Sequence, residues 1–366
     1  MSKPLLTRQL QKLSAVQSLA NTEFDQALLH ESVARMRRFI AGIKAYQYHY
    51  DQRDVVEAPV IWQDGTTSLR DYNPSHSTAP IILVIPSLIN RFHILDLDFA
   101  SSFLRRLAAE GFRPLVVDWD HPGEKEKSFS LTDYVTKRLL PILDFLQSSQ
   151  TNPVHVMGYC MGGLLALALA TLQKERVKTL TLLATPWDFH KPNPDIASSF
   201  IAVAEQMEPC LQATGLLPVD VIQSLFAGFQ PMQVLNKFSE FASLDPDSME
   251  ARQFVLLEDW LNDGVPLTAP VARECLIDWY GENYTAKLDW HIDGTIIDPR
   301  TIQTPSYVVV PGRDHIVPPE SALPLARLLP RASLHEPMMG HIGMIVSRNA
   351  SHQVWSPLFK WLSEHR

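Results

Sequence analysis

The fold is decided by one stretch of the sequence, HVMGYCMGGLLALALA at residues 155–170. Its apolar start is typical of a buried strand, and its Ala- and Leu-rich end is typical of a buried helix. A strand that turns sharply into a helix at Gly-x-Cys-x-Gly forms a nucleophile elbow, which lifts one side chain into a cleft. Serine is the usual apex residue, but here the apex is Cys160. We predict that Cys160 is a nucleophile; the alternative is a buried structural cysteine.

The glycines on either side of the apex support the elbow. Gly158 and Gly162 stand where the backbone is strained and the helix packs closely on the strand, so that small residues are needed there. The turn also places the Cys160 thiol at a helix N-terminus, where the helix dipole favours the thiolate.

The sequence around the elbow alternates between apolar strands and helices. Helices are predicted at 98–111 and 130–147. Strands are predicted at 79–88, 113–120, 152–160 and 177–186. Such alternation predicts an α/β fold, with a mostly parallel sheet and helices on both faces. Two further strands are expected on either side of an Asp64-Gly65 turn.

The chain divides into three predicted regions. Residues 1–55 read as an N-terminal helical arm, and residues 56–186 and 300–366 form the α/β core. In residues 187–299 the alternation of strands and helices stops and the pattern is helical. This predicts a cap over the carboxyl ends of the strands. The arm has a basic face, which indicates either packing on the domain or docking of a partner helix or an anionic surface.

An elbow nucleophile needs an acid and then a histidine further along the chain. Asp314 follows the predicted strand in VVVPGRDHIVPP, and His341 lies in the glycine-flanked loop MMGHIGMIV before the last helix. His341 would accept the thiol proton while Asp314 orients the imidazole. His315, next to the acid, is a rival base.

A tetrahedral oxyanion needs hydrogen-bond donors near the nucleophile. The backbone N–H of Met161 is the first candidate, because it follows the apex residue. The second donor is expected in the loop PSLINRF after the first parallel strand. In that loop, Leu88 is a candidate backbone donor and Asn90 a candidate side-chain donor.

The bulk composition excludes several other classes of protein. The net charge of −8 provides no basic field for nucleic acid, and three cysteines among 366 residues fit a reducing, cytoplasmic compartment. No secretory signal or transmembrane stretch is recognised. No zinc-type spacing, P-loop or dinucleotide motif occurs, so that neither a metal nor a cofactor is expected.

Six collinear segments resemble the polyhydroxyalkanoate synthases, especially the short class III catalytic subunit. The segments are PSLINRFHILDL, GYCMGG, LLATPWDF, LEDWLNDGVP, GRDHIVPP and GHIGMIVS. The resemblance runs from about Val60 to the C-terminus and implies an α/β-hydrolase core with a mobile cap. It places the family's nucleophile on Cys160, its acid on Asp314 and its base on His341. The acidic loop DWDHPGEKEKS and the cap between Ala197 and Met249 match the family only loosely.

The same resemblance implies an acyltransferase that polymerises 3-hydroxyacyl-CoA into a polyester held on Cys160. Coenzyme A then enters as the thioester substrate, and the growing polyester chain is a second ligand. A second synthase subunit, a homo-oligomer and a place at the polymer granule surface are further expectations.

A cysteine nucleophile suits acyl transfer because its acyl-enzyme is a thioester, close in energy to the acyl-CoA from which it forms. The acyl group therefore stays activated toward an alcohol. Cysteine hydrolases also exist, so a thioesterase or a polyester depolymerase is the alternative function. A non-catalytic granule or scaffold protein is a third, against which the three triad residues argue.

Overall fold

The computed structural model describes residues 23–149, 152–229 and 231–366. The described chain forms two compact units. The larger unit consists of residues 53–229 and 259–366, and the smaller consists of the described residues within 1–52 and 230–258. The division into arm, core and cap stays a prediction, and residues 1–22 of the arm lie outside the described part of the chain.

The larger unit is built on an eight-stranded sheet. We number its strands β1 to β8 along the chain, and their order across the sheet is β1-β2-β4-β3-β5-β6-β7-β8. Strands β3 to β8 pair in parallel, whereas β1, β2 and the β2–β4 pair are antiparallel. The strands are Val60–Asp64, Thr67–Asp71, Ile81–Ile85, Arg113–Asp118, Val154–Tyr159, Val177–Leu183, Ser306–Val309 and Ala332–His335. The predicted mostly parallel sheet and the hairpin turn after Asp64 are confirmed.

Both faces of the sheet are buried, as the continuous apolar runs of its central strands require. In β3, Ile81, Leu83 and Ile85 belong to one large apolar cluster. Ile82 and Val84 are equally buried but lie outside that cluster. Because successive side chains of a strand point to opposite faces, the second pair covers the other face.

Thirteen α-helices are described, and we number them α1 to α13 along the chain. They are Glu23–Gln47, Phe103–Ala109, Leu131–Tyr134, Leu140–Ser149, Met161–Leu172, Ile196–Thr214, Val219–Phe229, Pro231–Phe241, Met249–Asn262, Ala269–Arg273, Pro319–Leu328, Gly343–Val346 and Ser356–Glu364.

Helix starts follow from local capping. The helix predicted at 98–111 begins only at Phe103, because the Ser102 side chain accepts the backbone N–H of Arg105 and caps it there. The helix predicted at 130–147 begins after Ser130, which forms a capping box with Asp133. A π-helical turn, Val135–Leu139, then separates α3 from α4.

The smaller unit has its own apolar core. Phe241, Ala251 and Val255 are buried, and Tyr46 and Phe254 pack against them. Helix α1 crosses α8 so closely that a Cβ atom on Gly42 would lie 1.8 Å from the carbonyl oxygen of Phe238. Glycine is therefore the residue that this helix crossing admits.

The carboxyl ends of β5, β7 and β8 lie at one edge of the sheet because these strands are parallel. Cys160 follows β5 directly, Asp314 follows β7, and His341 follows β8. The topology thus brings together three residues that are far apart in the sequence.

Candidate active site

Cys160 occupies the turn between β5 and α5. Its backbone is in a left-handed conformation, with φ 55° and ψ −126°, which side chains other than glycine rarely adopt. The Cys160 N–H donates to the carbonyl oxygen of Leu183 at 2.8 Å, and the Cys160 carbonyl accepts the N–H of Gly163 at 2.9 Å. These bonds hold the strained turn, and the thiol stays partly exposed. This is the geometry of a nucleophile elbow.

The two predicted elbow glycines lie where no side chain fits. A Cβ atom on Gly158 would be 2.4 Å from the Cα of Gly163. A Cβ atom on Gly162 would be 2.1 Å from the carbonyl oxygen of Ile85. The helix α5 therefore packs against the ends of both β5 and β3 through bare backbone.

Asp314 and His341 form a buried pair. Oδ2 of Asp314 accepts a hydrogen bond from Nδ1 of His341 at 2.6 Å, and the two residues are 2% and 8% exposed. The other carboxylate oxygen accepts the N–H groups of Ile316 and Val317 at 2.9 and 2.8 Å. Asp314 is thus fixed by the backbone of its own loop and can in turn orient the imidazole.

The charges around His341 favour its protonated form. Burial alone would lower the pKa of the imidazole, but the Asp314 carboxylate and the Cys160 thiolate outweigh it and raise that pKa to about 10. Cys160 therefore lies close enough to His341 for its charge to act on the imidazole. The arrangement therefore favours the imidazolium form of His341.

The predicted oxyanion donors lie at the same edge. Met161 is the first residue of α5, where backbone N–H groups have no partner within the helix. Leu88 and Asn90 lie in the loop after β3, and Leu88 is buried. Asn90 pairs with Gly264 in an isolated antiparallel bridge. The donor roles of all three residues remain predictions.

The other histidines considered do not share the position of His341. His315 is exposed, and the Asp314 carboxylate faces His341 instead. His155 bonds to Thr179, while His190 and His335 bond to backbone carbonyls. All three side chains are thus engaged in contacts away from Cys160.

The other two cysteines differ from Cys160. Cys275 is buried, and burial raises the pKa of its thiol well above the ordinary value. Cys210 lies on α6, with its sulfur 4.0 Å from the hydroxyl of Thr214. Among the described contacts, neither of them has a histidine partner.

Sequence reasoning missed two tyrosines near the pair. The Tyr159 hydroxyl donates to the backbone carbonyl of His341 at 3.2 Å, which ties the histidine loop to the end of β5. Burial, followed by the negative charge of Cys160, raises the pKa of Tyr280, whose ring stacks on Phe200 at 3.8 Å. Tyr280 is therefore within electrostatic range of Cys160. No local sequence signal marks either tyrosine, because both contacts join distant segments.

Within the described ranges, no group of three or more His, Cys, Asp or Glu side chains could hold a metal ion. The same residues include no helix that is long and apolar enough to cross a membrane.

Comparison with known proteins identifies the family to which the chain belongs. Residues 80–347 match the α/β-hydrolase fold family, and the chain belongs to that family. Among solved structures, a monoacylglycerol lipase from Paleococcus ferrophilus superimposes with a TM-score of 0.54 and 14% identity. The match covers 82% of this chain and 99% of the lipase, and at this identity it supports the fold alone.

The resemblance to polyhydroxyalkanoate synthases is confirmed. The chain is 26% identical over 352 residues to the poly(3-hydroxyalkanoate) polymerase subunit PhaC of Synechocystis sp., covering 92% of this chain and 93% of the relative. It is 28% identical over 326 residues to the protein of the same name from Haloarcula marismortui, covering 85% and 69%.

Proposed function

We propose that this protein is a polyhydroxyalkanoate synthase, an acyltransferase that polymerises 3-hydroxyacyl-CoA. The observation that carries the proposal is the cysteine at the apex of a strained elbow, at the same edge of the sheet as a histidine that is hydrogen-bonded to a buried aspartate. The similarity to several named polymerases indicates an enzyme and supports this substrate class.

Loading begins with the Cys160 thiolate. The sulfur adds to the thioester carbonyl of 3-hydroxyacyl-CoA, and the oxyanion is stabilised by the backbone N–H of Met161 and a donor from the β3 loop. When the intermediate collapses, the C–S bond to coenzyme A breaks. His341 gives its proton to the departing CoA thiolate, which leaves an acyl thioester on Cys160 and a neutral imidazole.

Elongation uses the neutral imidazole as the base. His341 accepts the proton of a 3-hydroxyl group, whose oxygen attacks the thioester on Cys160. A C–O ester bond forms and the C–S bond breaks, so the lengthened chain is carried by the 3-hydroxyacyl-CoA that supplied the hydroxyl group. The Cys160 thiolate and the His341 imidazolium are regenerated, and the lengthened chain reloads Cys160 by the same thioester exchange, with release of coenzyme A. The Asp314 carboxylate stabilises the imidazolium at both steps. No cofactor is needed beyond the coenzyme A thioester that is consumed.

The experiment supplies 3-hydroxybutyryl-CoA to the purified protein and follows both coenzyme A release and the acyl products. We expect ester oligomers on Cys160 and little free 3-hydroxybutyrate. Coenzyme A release alone does not discriminate, because a hydrolase releases it too. One free acid per coenzyme A, with no oligomer by mass spectrometry, would overturn the synthase proposal in favour of a thioesterase.

Cys160→Ser is the matched variant for this assay. An oxygen ester on serine is less activated toward an alcohol than a thioester, so we expect loading and elongation to fall together. Cys210→Ser changes the same atom at a distant site and should leave the oligomer yield unchanged.

A partner subunit and a granule surface are also part of the proposal. The relatives carry the word subunit in their names, and the smaller unit exposes large apolar side chains at Phe24, Leu28 and Met249. Such side chains suit either a helical partner subunit or the polymer surface. The proposed location is the cytoplasm, at the granule. Loss of granule association in cells expressing the Phe24→Ser, Leu28→Ser double variant would support this surface, and unchanged association would contradict it.

A further inference from the structure

The loop after β3, Pro86–Arg91 (hereafter the β3 loop), is fixed along nearly its whole length. The indole Nε1 of Trp119 donates to the carbonyl of Pro86 at 3.1 Å. The N–H of Ile89 donates to Oγ of Ser87 at 3.2 Å. Because each peptide unit is planar, these bonds fix the peptides on both sides of the one that carries the Leu88 N–H.

A second segment, Trp260–Val265 (hereafter the strap), holds the far end of this loop. The N–H of Val265 donates to the carbonyl of Ile89 at 2.8 Å, and Asn90 forms a bridge with Gly264. The indole Nε1 of Trp260 donates to the carbonyl of Arg91, also at 2.8 Å.

Arg91 adds an ionic link of a different kind. Its guanidinium lies 2.9 Å from Asp120 and 3.0 Å from Asp263. Both carboxylates are about half exposed, at 48% and 52%, and exposed ion pairs of this kind contribute little because water and salt screen them. The bonds to the main chain are therefore the firmer part of the anchor.

The β3 loop also lies against the nucleophile. Its first carbonyl, that of Pro86, would be 2.5 Å from a Cβ atom on Gly162, and Ile85 pairs in register with Gly158. Leu88 and Val265 line a common crevice. The described residues around this crevice leave no space for a water molecule. A shift of the strap would therefore reach the loop in which the second oxyanion donor is predicted.

We propose that Trp260 is a positioning residue for acyl transfer: its bond to the Arg91 carbonyl holds the β3 loop with a backbone N–H directed at the oxyanion. This inference rests on the acyl-transfer chemistry proposed above, but not on whether water or a hydroxyacyl group receives the acyl group. An oxyanion donor acts over a narrow range of distances, so a small displacement of the loop is costly.

The test compares two reactions of Cys160 in the full-length protein. p-Nitrophenyl acetate acylates the thiolate through a tetrahedral oxyanion: the C–S bond forms, and p-nitrophenolate leaves with the electrons of the C–O bond. Iodoacetamide alkylates the same sulfur by displacing iodide and forms no oxyanion. The burst of p-nitrophenolate and the mass shift at Cys160 measure the two rates.

Trp260→Phe keeps an aromatic ring and removes the Nε1 donor. We expect its acylation rate to fall about tenfold, with iodoacetamide alkylation within twofold of the wild-type rate. Trp355→Phe is the matched control, because the Trp355 Nε1 is buried and has no hydrogen-bond partner among the described residues. Both of its rates should match those of the wild-type protein.

Three outcomes would overturn the inference. A folded Trp260→Phe variant with the wild-type acylation rate would overturn this inference but not the proposed function. Equal slowing of acylation and alkylation would do the same, because it indicates a general disturbance of Cys160. A wild-type protein that is alkylated but never acylated would overturn the inference and the proposed function together.

Discussion

At the scale of single residues, Cys160 combines a strained backbone with a charged partner. Backbone hydrogen bonds to Leu183 and Gly163 hold this positive-φ turn. The Cys160 side chain is therefore not needed to stabilise the turn. His341 is held by Asp314 and keeps its proton well above neutral pH because its pKa is about 10. The reactivity of the thiol should therefore depend on this one histidine.

Iodoacetamide should label Cys160 before either of the other cysteines at pH 7. Cys275 is buried with a raised thiol pKa, and Cys210 has no histidine partner among its described contacts. We expect His341→Gln to slow the labelling of Cys160 by about tenfold or more, because the thiolate then lacks its counter-ion. Peptide mass spectrometry over a time course measures the three rates.

His315→Gln is the control for that experiment, since His315 is exposed beside the acid and should leave the labelling rate unchanged. Faster labelling of Cys210, or a larger effect from His315→Gln than from His341→Gln, would contradict the assignment of the pair.

At the scale of elements, α5 and β3 meet through backbone alone at Gly162. A methyl group there would lie 2.1 Å from the Ile85 carbonyl and 2.5 Å from that of Pro86. We expect Gly162→Ala to lower the free energy of unfolding by about 1–3 kcal/mol or more, as overpacking does. At Gly228, on α7, no atom of the described residues outside its own helix turn lies within 4 Å of such a methyl group.

Gly228→Ala is therefore the matched variant, and we expect it to raise the stability by about 0.5–1 kcal/mol through helix propensity. Urea unfolding followed by circular dichroism measures both. Equal stability of the two alanine variants would show that the helix can move away from β3.

Glu274, the first residue of the π-helical segment Glu274–Gly281, carries a carboxyl group whose ionised form is disfavoured. Burial raises the pKa of Glu274 to about 7 from 4.5, although the carboxylate accepts the N–H of Leu131 at 2.8 Å. The native state thus binds a proton more tightly than the unfolded state. The contribution of Glu274 to stability is complete below about pH 4.5 and is lost as the pH rises through about 7.

Glu274→Gln should abolish this dependence, because glutamine still accepts the N–H of Leu131 and does not ionise. Relative to the wild-type protein, the variant should gain at most about 3 kcal/mol between pH 4.5 and 8, since one pKa unit corresponds to about 1.4 kcal/mol. Chemical unfolding at several pH values measures the difference. Glu175→Gln, at an exposed position, should show none, and a flat difference for Glu274→Gln would contradict the prediction.

At the scale of the whole molecule, the smaller unit has a core of its own around Phe241 and Val255. A methyl group on Gly42 would meet the Phe238 carbonyl at 1.8 Å. We expect Gly42→Ala to separate α1 from α8 and to speed proteolysis within residues 23–52 and 231–258. Iodoacetamide labelling of Cys160 should stay within twofold, and a parallel loss of labelling would contradict a separate core.

The sequence indicated the three triad residues because each has a local sign: the glycines around Cys160, the strand before Asp314, and the glycines around His341. The parallel pairing of β3 to β6 also followed from the alternating pattern. The bond from Trp260 to Arg91 and that from Tyr159 to His341 could not be predicted. Each joins segments distant in sequence, and nothing in their local composition specifies the partner.

Strands β6 and β7 are neighbours in the sheet, with Leu180 opposite Ser306. Residues 184–305 separate these two strands in the sequence. The described residues of this segment add no strand to the sheet. The chain thus leaves the sheet and returns to it at adjacent strands, which is the arrangement that tolerates exchange of a whole segment. On the proposed function, exchange of this segment between relatives should change the acyl groups accepted while the elbow is retained. A transplanted segment would still have to bring its own indole donor for the β3 loop.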